Sequence, residues 1–510
     1  MRNDDAAHER VLELLSQEGG TNDANTRRVA AAAGVSEARV WGAGHFYSLL
    51  GSESAGVRVC RGLSCRLAGS DDVLDELRNR GKTHTGVSCL GQCDRAPVAL
   101  AEDLSLVPYS GRVARRSPDD PDLPINLGGA PEASFAALIR AREMGREKLL
   151  NEIEASGLQG RGGAAFPAHL KWRALIAQEE LERYVVCNAD EGEPGTFKDR
   201  DVLLHRSDLL IQGLAIAAKT VQARETIVYI RGEFKDERAT LERALEEYGE
   251  HLADTPVRIV EGHGAYICGE ETALLESMEG RRGMPRLKPP FPTEDGYRGK
   301  PTLVHNVETL ACLPSIIERG GAWFRSQGRT EAGTKLYSVS GHVKHPGVYE
   351  LPMGVTLDEL VDAAGGYEGA PLAFSPGGAS SGFLPMDHRD VPLDYGTMAR
   401  IGSMLGSAGV VVLNDTVDIA EAALWQAEFF EEESCGQCAP CRIGTRYVRQ
   451  SLERYLEHGD PELLDQIEDV CWEMVEGSIC GLGIVAGEPL QSARRHFPES
   501  FGHRQKREQT

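Results

Sequence analysis

Three cysteines fall close together in "ESCGQCAPCRIGT", at Cys435, Cys438 and Cys441. This C-x2-C-x2-C triplet constrains the fold more than any other stretch. At a helix N-terminus its spacing sets three sulfurs around one point, and a fourth donor must come from elsewhere. Cys471 lies in the apolar-periodic "IEDVCWEMV", where a cysteine reads as a small buried hydrophobe. Cys480 lies in "SICGLGI", where glycines permit a tight turn and leave backbone N–H groups free to bond sulfur. The expectation is a [4Fe–4S] site on Cys435, Cys438, Cys441 and Cys480. Zinc is the alternative, but zinc ribbons pair their cysteines as two doublets.

A second set, Cys60, Cys65, Cys89 and Cys93, occupies "VRVCRGLSC" and "GVSCLGQCDRAP". Its spacing leaves zinc and [2Fe–2S] open. The short, glycine-containing, histidine-poor surroundings favour [2Fe–2S]. Cys187, Cys268 and Cys312 sit in apolar or motif contexts and read as packing residues. The chain has 510 residues and 12 cysteines, with 55 basic against 78 acidic side chains and a net charge of −23. Clustered cysteines in a long acidic chain point to metal or redox chemistry rather than a disulfide scaffold. The charge argues against nucleic acid or an anionic membrane as partner. The absence of a long apolar run and the charged start "MRNDDAAHERVLELL" give the expectation of a cytoplasmic protein without membrane insertion.

The patterning predicts a multidomain α/β chain. Residues 1–50 read as helices. A turn-like "AAAAGVSEARVW" there imitates a DNA-binding helix pair, but its second helix is apolar rather than basic. Residues 51–112 hold short strands and a helix, and the linker "RRSPDDPDLPINLGGAP" follows. Residues 113–330 alternate helix and strand around "ERYVVCNAD" and "ETIVYIRGE"; 331–415 form a small β-rich module; 416–510 are helical.

Three glycine- and acid-rich stretches lie between the cysteine sets. "SGLQGRGGAAFPAHLKW" offers Gly160, Arg161, Gly162 and Gly163 with Lys171, a loop able to approach a phosphate or a flat ring. It lacks the G-x-G-x-x-G fingerprint. "CNADEGEPGTFKDR" sets Asn188, Asp190, Glu191 and Glu193 after an apolar strand, suited to a ribityl or ribose chain. "HGAYICGEETALLESMEGRRGMPRLKPPFP" adds Tyr266, Glu270, Glu271, Lys288 and Phe291.

With these motifs in place, the sequence from about 130 to 490 resembles the flavin-bearing, NADH-oxidising subunit of respiratory complex I and its relatives. Those relatives are the diaphorase subunits of NAD-reducing hydrogenases and the beta subunits of NAD-dependent molybdenum or tungsten formate dehydrogenases. Residues 25–110, with "HFYSLL", "CRGLSC" and "CLGQCDRAPV", resemble the thioredoxin-like [2Fe–2S] partner subunit, here fused to it. The resemblance implies a thioredoxin-like domain, a Rossmann-like FMN domain, a ubiquitin-like β-grasp domain of the SLBB type and a C-terminal helical bundle. It implies FMN held by Gly160 to Gly163, Lys171, Asn188, Asp190, Tyr266, Gly269, Glu270 and Asn306. NAD(H) would meet Phe166, Glu193, Glu271, Lys288 and Phe291. Glu193 and Glu271 would position the dinucleotide and Lys171 would offset flavin charge.

The chain departs from the family pattern at Ala165 and His169, which replace glycines, at His305, which replaces an asparagine, and at Ala174, where relatives carry an aromatic residue. The implied activity is hydride exchange between NADH and FMN, with single electrons passed to a catalytic alpha subunit bearing further iron–sulfur clusters. The fusion favours a formate dehydrogenase beta subunit, with a molybdenum or tungsten site on the partner. A hydrogenase diaphorase comes second, and a subunit of complex I fits less well. A non-catalytic, zinc- or cluster-stabilised interaction protein is the alternative of a different class.

Overall fold

The computed structural model describes residues 5–51, 56–131, 135–252 and 256–503. At its centre are four parallel strands in the order Val257–Glu261, Glu225–Ile230, Tyr184–Ala189, Thr302–Asn306. Val185, Val186, Ile227, Val228 and Leu303 are wholly buried, as expected for strands covered by helices on both faces. The covering helix Ser207–Val221, with its "LLIQGLAIAA" run, is buried along nearly its whole length.

The strand order decides where a ligand fits. From Tyr184–Ala189 the chain moves outwards to Glu225–Ile230 and Val257–Glu261, then returns to the opposite side with Thr302–Asn306. That reversal opens a crevice at the carboxyl ends of Tyr184–Ala189 and Thr302–Asn306, the topological switch point of an α/β sheet. Asn188 and Asn306 are register partners at that spot.

The N-terminal helices Asp5–Gln17, Asp23–Ala33 and Glu37–Gly44 pack on this domain. Val11, Leu15, Val29, Val40 and Tyr47 join its core. The Tyr47 hydroxyl donates to Arg281 O at 2.7 Å, and the Arg282 Nε donates to Gly42 O at 2.7 Å. The segment that imitates a DNA-binding helix pair is thus core structure.

Residues 57–108 form a mixed sheet in the order His84–Val87, Val57–Cys60, Val98–Leu100, Leu106–Pro108. Its first pair is parallel and the others antiparallel. A third sheet orders Leu384–Pro385, Pro371–Ser375, Gly409–Asn414, Thr334–Gly341, Gly347–Pro352 and Arg115–Arg116. That last strand comes from the linker region, which sequence pattern groups with the flavin domain. It pairs with Gly347–Val348 instead, because a two-arginine strand carries no apolar alternation to betray it. The chain ends in the helices Ile419–Glu433, Ala439–His458, Ile467–Gly477, Gly481–Val485 and Glu488–His496. No helix among the described residues is long and apolar enough to cross a membrane.

Candidate active site and cluster sites

The glycine loop lies over the switch point. An antiparallel bridge between Gln159 and Pro167 closes it, and the Gly160 N–H donates to Phe166 O at 2.9 Å. A side chain at Gly162 would meet Asn306 Cβ at 3.2 Å, and Gly163 holds φ at +127°. Gly163 therefore needs glycine, and a side chain at Gly162 would crowd Asn306. Ala165 also sits in the left-handed region, at φ +54°, a conformation its methyl group disfavours. The β-rich module backs the loop: the Tyr395 hydroxyl donates to Gly160 O at 3.3 Å.

The three sequence stretches meet at the crevice. The Asn188 amide donates to Gly269 O at 2.8 Å, and its carbonyl accepts from the Asp190 N–H at 3.1 Å. Asp190 Oδ2 is buried with no hydrogen-bond partner. Burial pushes the Asp190 carboxyl up to about 8, against the pull of Arg231. An orphaned oxygen of that kind awaits a donor or acceptor from outside the protein.

Lys171 Nζ donates to Glu271 Oε2 at 2.6 Å and to Val304 O at 2.9 Å. Lys288 Nζ donates to Glu270 Oε1 at 2.8 Å and stands 3.7 Å from Glu271 Oε1. Burial raises the Glu271 carboxyl, but Lys171 and Lys288 outweigh it and hold it below the usual range. Glu270 also caps the helix Glu271–Met278 through the Thr272 and Ala273 N–H groups. Glu193 accepts from the Tyr266 hydroxyl and from the Ser380 N–H, so it joins the crevice to the β-rich module. Phe166 and Phe291 are 53% and 50% exposed, an arrangement open to stacking on a flat ring.

Two residues grouped with the site by sequence point elsewhere. Glu191 accepts from the Asp199 and Arg200 N–H groups at 2.9 and 3.0 Å and caps the helix Lys198–His205. The Arg161 side chain is fully buried and donates to Ala332 O at 2.9 Å. Its Nε and Nη1 are buried with no hydrogen-bond partner, and its backbone N–H donates to Thr309 Oγ1 at 2.8 Å. His305 is buried under Lys171 and accepts from the Trp172 Nε1–H at 2.6 Å. Burial, reinforced by Lys171, pushes its imidazole well below the ordinary value, so it is neutral.

The first cysteine set is gathered around Cys89, and the second set interacts electrostatically. Cys60, Cys65, Cys89 and Cys93 are buried and unbridged. Cys89 Sγ lies 3.6 Å from Cys93 Sγ and accepts from the Gly91 N–H at 3.4 Å. Cys60 lies within reach of both Cys65 and Cys89. Cys438 and Cys480 each cap a helix, Ala439–His458 and Gly481–Val485. Burial pushes the Cys480 thiol up to about 11, with the backbone at Gly483 and Leu482 opposing, and Cys441 lies in the field of Cys438, Cys480 and Cys435. Among the described residues no group of three His, Cys, Asp or Glu is placed to hold a single metal ion. All-thiol donor sets with backbone N–H groups aimed at sulfur fit iron–sulfur clusters. Cys471 is buried in the helical core, and Cys187, Cys268 and Cys312 are buried as well.

Sequence reasoning missed the residues that hold these parts together. Arg200, fully buried, donates to Gly91 O at 3.1 Å, to Gln92 Oε1 at 2.9 Å, and to both oxygens of Asp94 at 2.8 and 2.7 Å. Glu433 accepts from the Tyr266 N–H at 2.9 Å and from the Ser88 side chain. It therefore touches the crevice and both cysteine segments. These partners lie more than a hundred residues away, and no local pattern announces them.

Comparison with known proteins matches these regions one by one. The Nuo51 FMN-binding domain matches residues 153–315, and the NADH-ubiquinone oxidoreductase-F iron-sulfur binding region matches 421–504. The SLBB domain matches 336–384, and the thioredoxin-like [2Fe-2S] ferredoxin matches 3–111. The second of two F-type subunits of NADH-quinone oxidoreductase in Rhizobium meliloti is 44% identical over 374 residues, covering 70% of this chain and 88% of its own length. The chain belongs to the NuoF-type family of NADH-quinone oxidoreductase. The F-type subunit of Mycobacterium bovis is 43% identical over 387 residues, covering 72% of this chain and 86% of its own. A crystal structure of an NAD+-reducing [NiFe]-hydrogenase in the H2-reduced state contains a chain that superposes with a TM-score of 0.89 at 29% identity. It covers 97% of this chain and 92% of that one. The air-oxidised state gives 0.91 at 28% identity, covering 100% and 96%. The crevice at Asn188 and Asn306 lies in the FMN-binding domain. In this NuoF-type chain, the N-terminal region is the thioredoxin-like [2Fe-2S] domain.

Proposed function

We propose that the chain is an NAD(H)-linked electron-transfer subunit that holds FMN in the crevice, a [2Fe–2S] cluster on Cys60, Cys65, Cys89 and Cys93, and a [4Fe–4S] cluster on Cys435, Cys438, Cys441 and Cys480. One observation supports it most: the Tyr266 N–H, at the crevice, donates at 2.9 Å to Glu433, two residues before Cys435 of the second cysteine set. The dinucleotide side and the cluster side are therefore neighbours. Bound there, FMN supplies the exchange between a two-electron hydride donor and one-electron carriers.

The chain's own residues bind and orient. Gly160 to Gly163 bring backbone close to a phosphate or ring, and Asn188, Asp190 and Asn306 line the switch point. Lys171 adds a positive charge, balanced by Glu271. Phe166 and Phe291 offer faces for the nicotinamide nucleotide, with Glu193, Glu271 and Lys288 fixing its polar groups. Among the described residues of the crevice, no side chain is placed as a covalent nucleophile.

The second half-reaction belongs to a partner subunit. The match to the hydrogenase chain runs through the N-terminal domain, whereas the NuoF-type relatives cover 70% of this chain. That shared fused architecture supports an NAD-reducing hydrogenase type of assembly alongside the formate dehydrogenase expected from sequence. The native complex, isolated through this chain, is assayed anaerobically for NAD+ reduction with hydrogen and, separately, with formate. Reduction with hydrogen supports this reading. Reduction with formate alone moves the chain to a formate dehydrogenase, and flavin that NADH cannot bleach overturns the subunit reading.

A further inference from the structure

Arg231 directly follows the strand Glu225–Ile230, and its side chain is buried. Its guanidinium bridges two loops from different domains. Nη2 donates to Cys89 O at 2.9 Å, and Nη1 donates to Glu191 O in the flavin-side acidic stretch. The same positive charge acts on Cys89 and on the orphaned Asp190. Glu233 partly neutralises it, accepting from Nε at 3.2 Å and from Nη2 at 3.0 Å, and is itself only 8% exposed. Arg58, on the strand carrying Cys60, adds its positive charge to the field on Glu233. The Phe234 ring packs under the guanidinium at 5.3 Å and shields it from water.

We propose that Arg231 and Glu233 form a charge pair that sets the reduction potential of the cluster held by Cys60, Cys65, Cys89 and Cys93. The inference rests on the reading of those four cysteines as the [2Fe–2S] ligands. Reduction adds one electron to the cluster, with no bond made or broken. A fixed positive charge at a ligand stabilises the extra negative charge, and in a buried site salt screens it little. Arg231 therefore raises the potential and Glu233 tempers it. Because the guanidinium also holds the carbonyl of Glu191, it is a positioning residue shared by the cluster loop and the crevice.

The test is a dithionite titration of the full holo-chain, followed by the EPR signals of both clusters. Arg231→Gln is expected to lower the [2Fe–2S] midpoint and Glu233→Gln to raise it. Each shift should be at least a tenfold change in the reduced-to-oxidised ratio, about 59 mV for one electron. Arg231→Lys, which keeps the charge, should restore most of the potential, and the [4Fe–4S] midpoint should stay in place. General damage to packing cannot move one cluster in opposite directions. Shifts of the same sign, or none, with the [2Fe–2S] signal present overturn the proposal. Should Arg231→Gln fail to fold, Glu233→Gln decides alone: an upward shift supports the pair and any other result overturns it. No [2Fe–2S] signal in the unsubstituted chain overturns the ligand reading itself.

Discussion

Cys60, Cys65, Cys89 and Cys93 are all buried, whereas Cys435 and Cys438 of the second set are half-buried. The first set is clamped from outside its own domain. Arg200 and Arg231, from the flavin domain, reach Gly91, Gln92, Asp94 and the carbonyl of Cys89. The second set is held locally, by the N-termini of two helices. Its helices also expose Ile443, Trp472, Val475 and Ile484. One cluster site is thus sealed against the flavin domain and the other stands at a surface. Under the proposed function, the first would keep a fixed place beside the flavin and the second would hand electrons out.

The contrast is most vulnerable at Arg200. Removing it as Arg200→Ala strands Asp94 and Asp201 as buried charges, at a cost of about 3–5 kcal/mol. Denaturant unfolding should show that loss together with loss of the [2Fe–2S] signal, while the [4Fe–4S] signal persists. Equal loss of both signals would mean that the two sites are not held independently.

Glu433 is where the two sites touch. Glu433→Ala leaves the Tyr266 N–H without its acceptor, for about 1–3 kcal/mol. Its effect on unfolding should be smaller than that of Arg200→Ala, and both clusters should remain. A change of less than a few tenths of a kcal/mol would show that Glu433 does not join the two segments.

Asp190 brings pH into the contrast between the sealed site and the exposed one. Its carboxyl, raised to about 8 by burial, faces Arg231, Glu233 and Glu433. The folded chain therefore keeps a proton there that the unfolded chain has lost, and stability falls as pH rises between about 4 and 8. FMN retention should weaken above pH 8, where the ionised carboxylate can no longer donate a hydrogen bond to the ligand. Asp190→Asn should flatten that dependence in equilibrium dialysis, and a slope unchanged by the substitution would exclude Asp190 from the site.

The smallest effect belongs to the loop itself. Ala165→Gly relieves a left-handed backbone at about 1–2 kcal/mol, offset by the greater freedom of glycine in the unfolded chain at about 0.4–1 kcal/mol. A net gain of about 0–1.6 kcal/mol is expected in urea unfolding, and a clear loss would mean that the alanine methyl packs productively.

The cysteines, the glycine loop and the acidic stretches were legible in sequence because each is a local pattern with its own chemistry. The parallel core was legible because "YVVCNA" and "ETIVYI" are continuous apolar runs. Arg200, Arg231 and Glu433 were not, since an isolated charged residue looks the same on a surface and in an interface. The strand Arg115–Arg116 was hidden for a related reason: its partner supplies the whole case for pairing. Glu191 carried the right spacing, but tertiary packing turned its side chain to cap a helix.

The proposed function implies one electron route, in which NADH reduces the chain through the crevice and the half-exposed cluster receives the electrons. The decisive measurement is anaerobic addition of NADH to the purified holo-chain, with flavin absorbance and EPR read together. Bleaching of FMN is expected, with a reduced [4Fe–4S] signal that Cys480→Ser abolishes and Cys471→Ser spares. Flavin that stays oxidised, or a [4Fe–4S] signal that survives Cys480→Ser, would contradict the route.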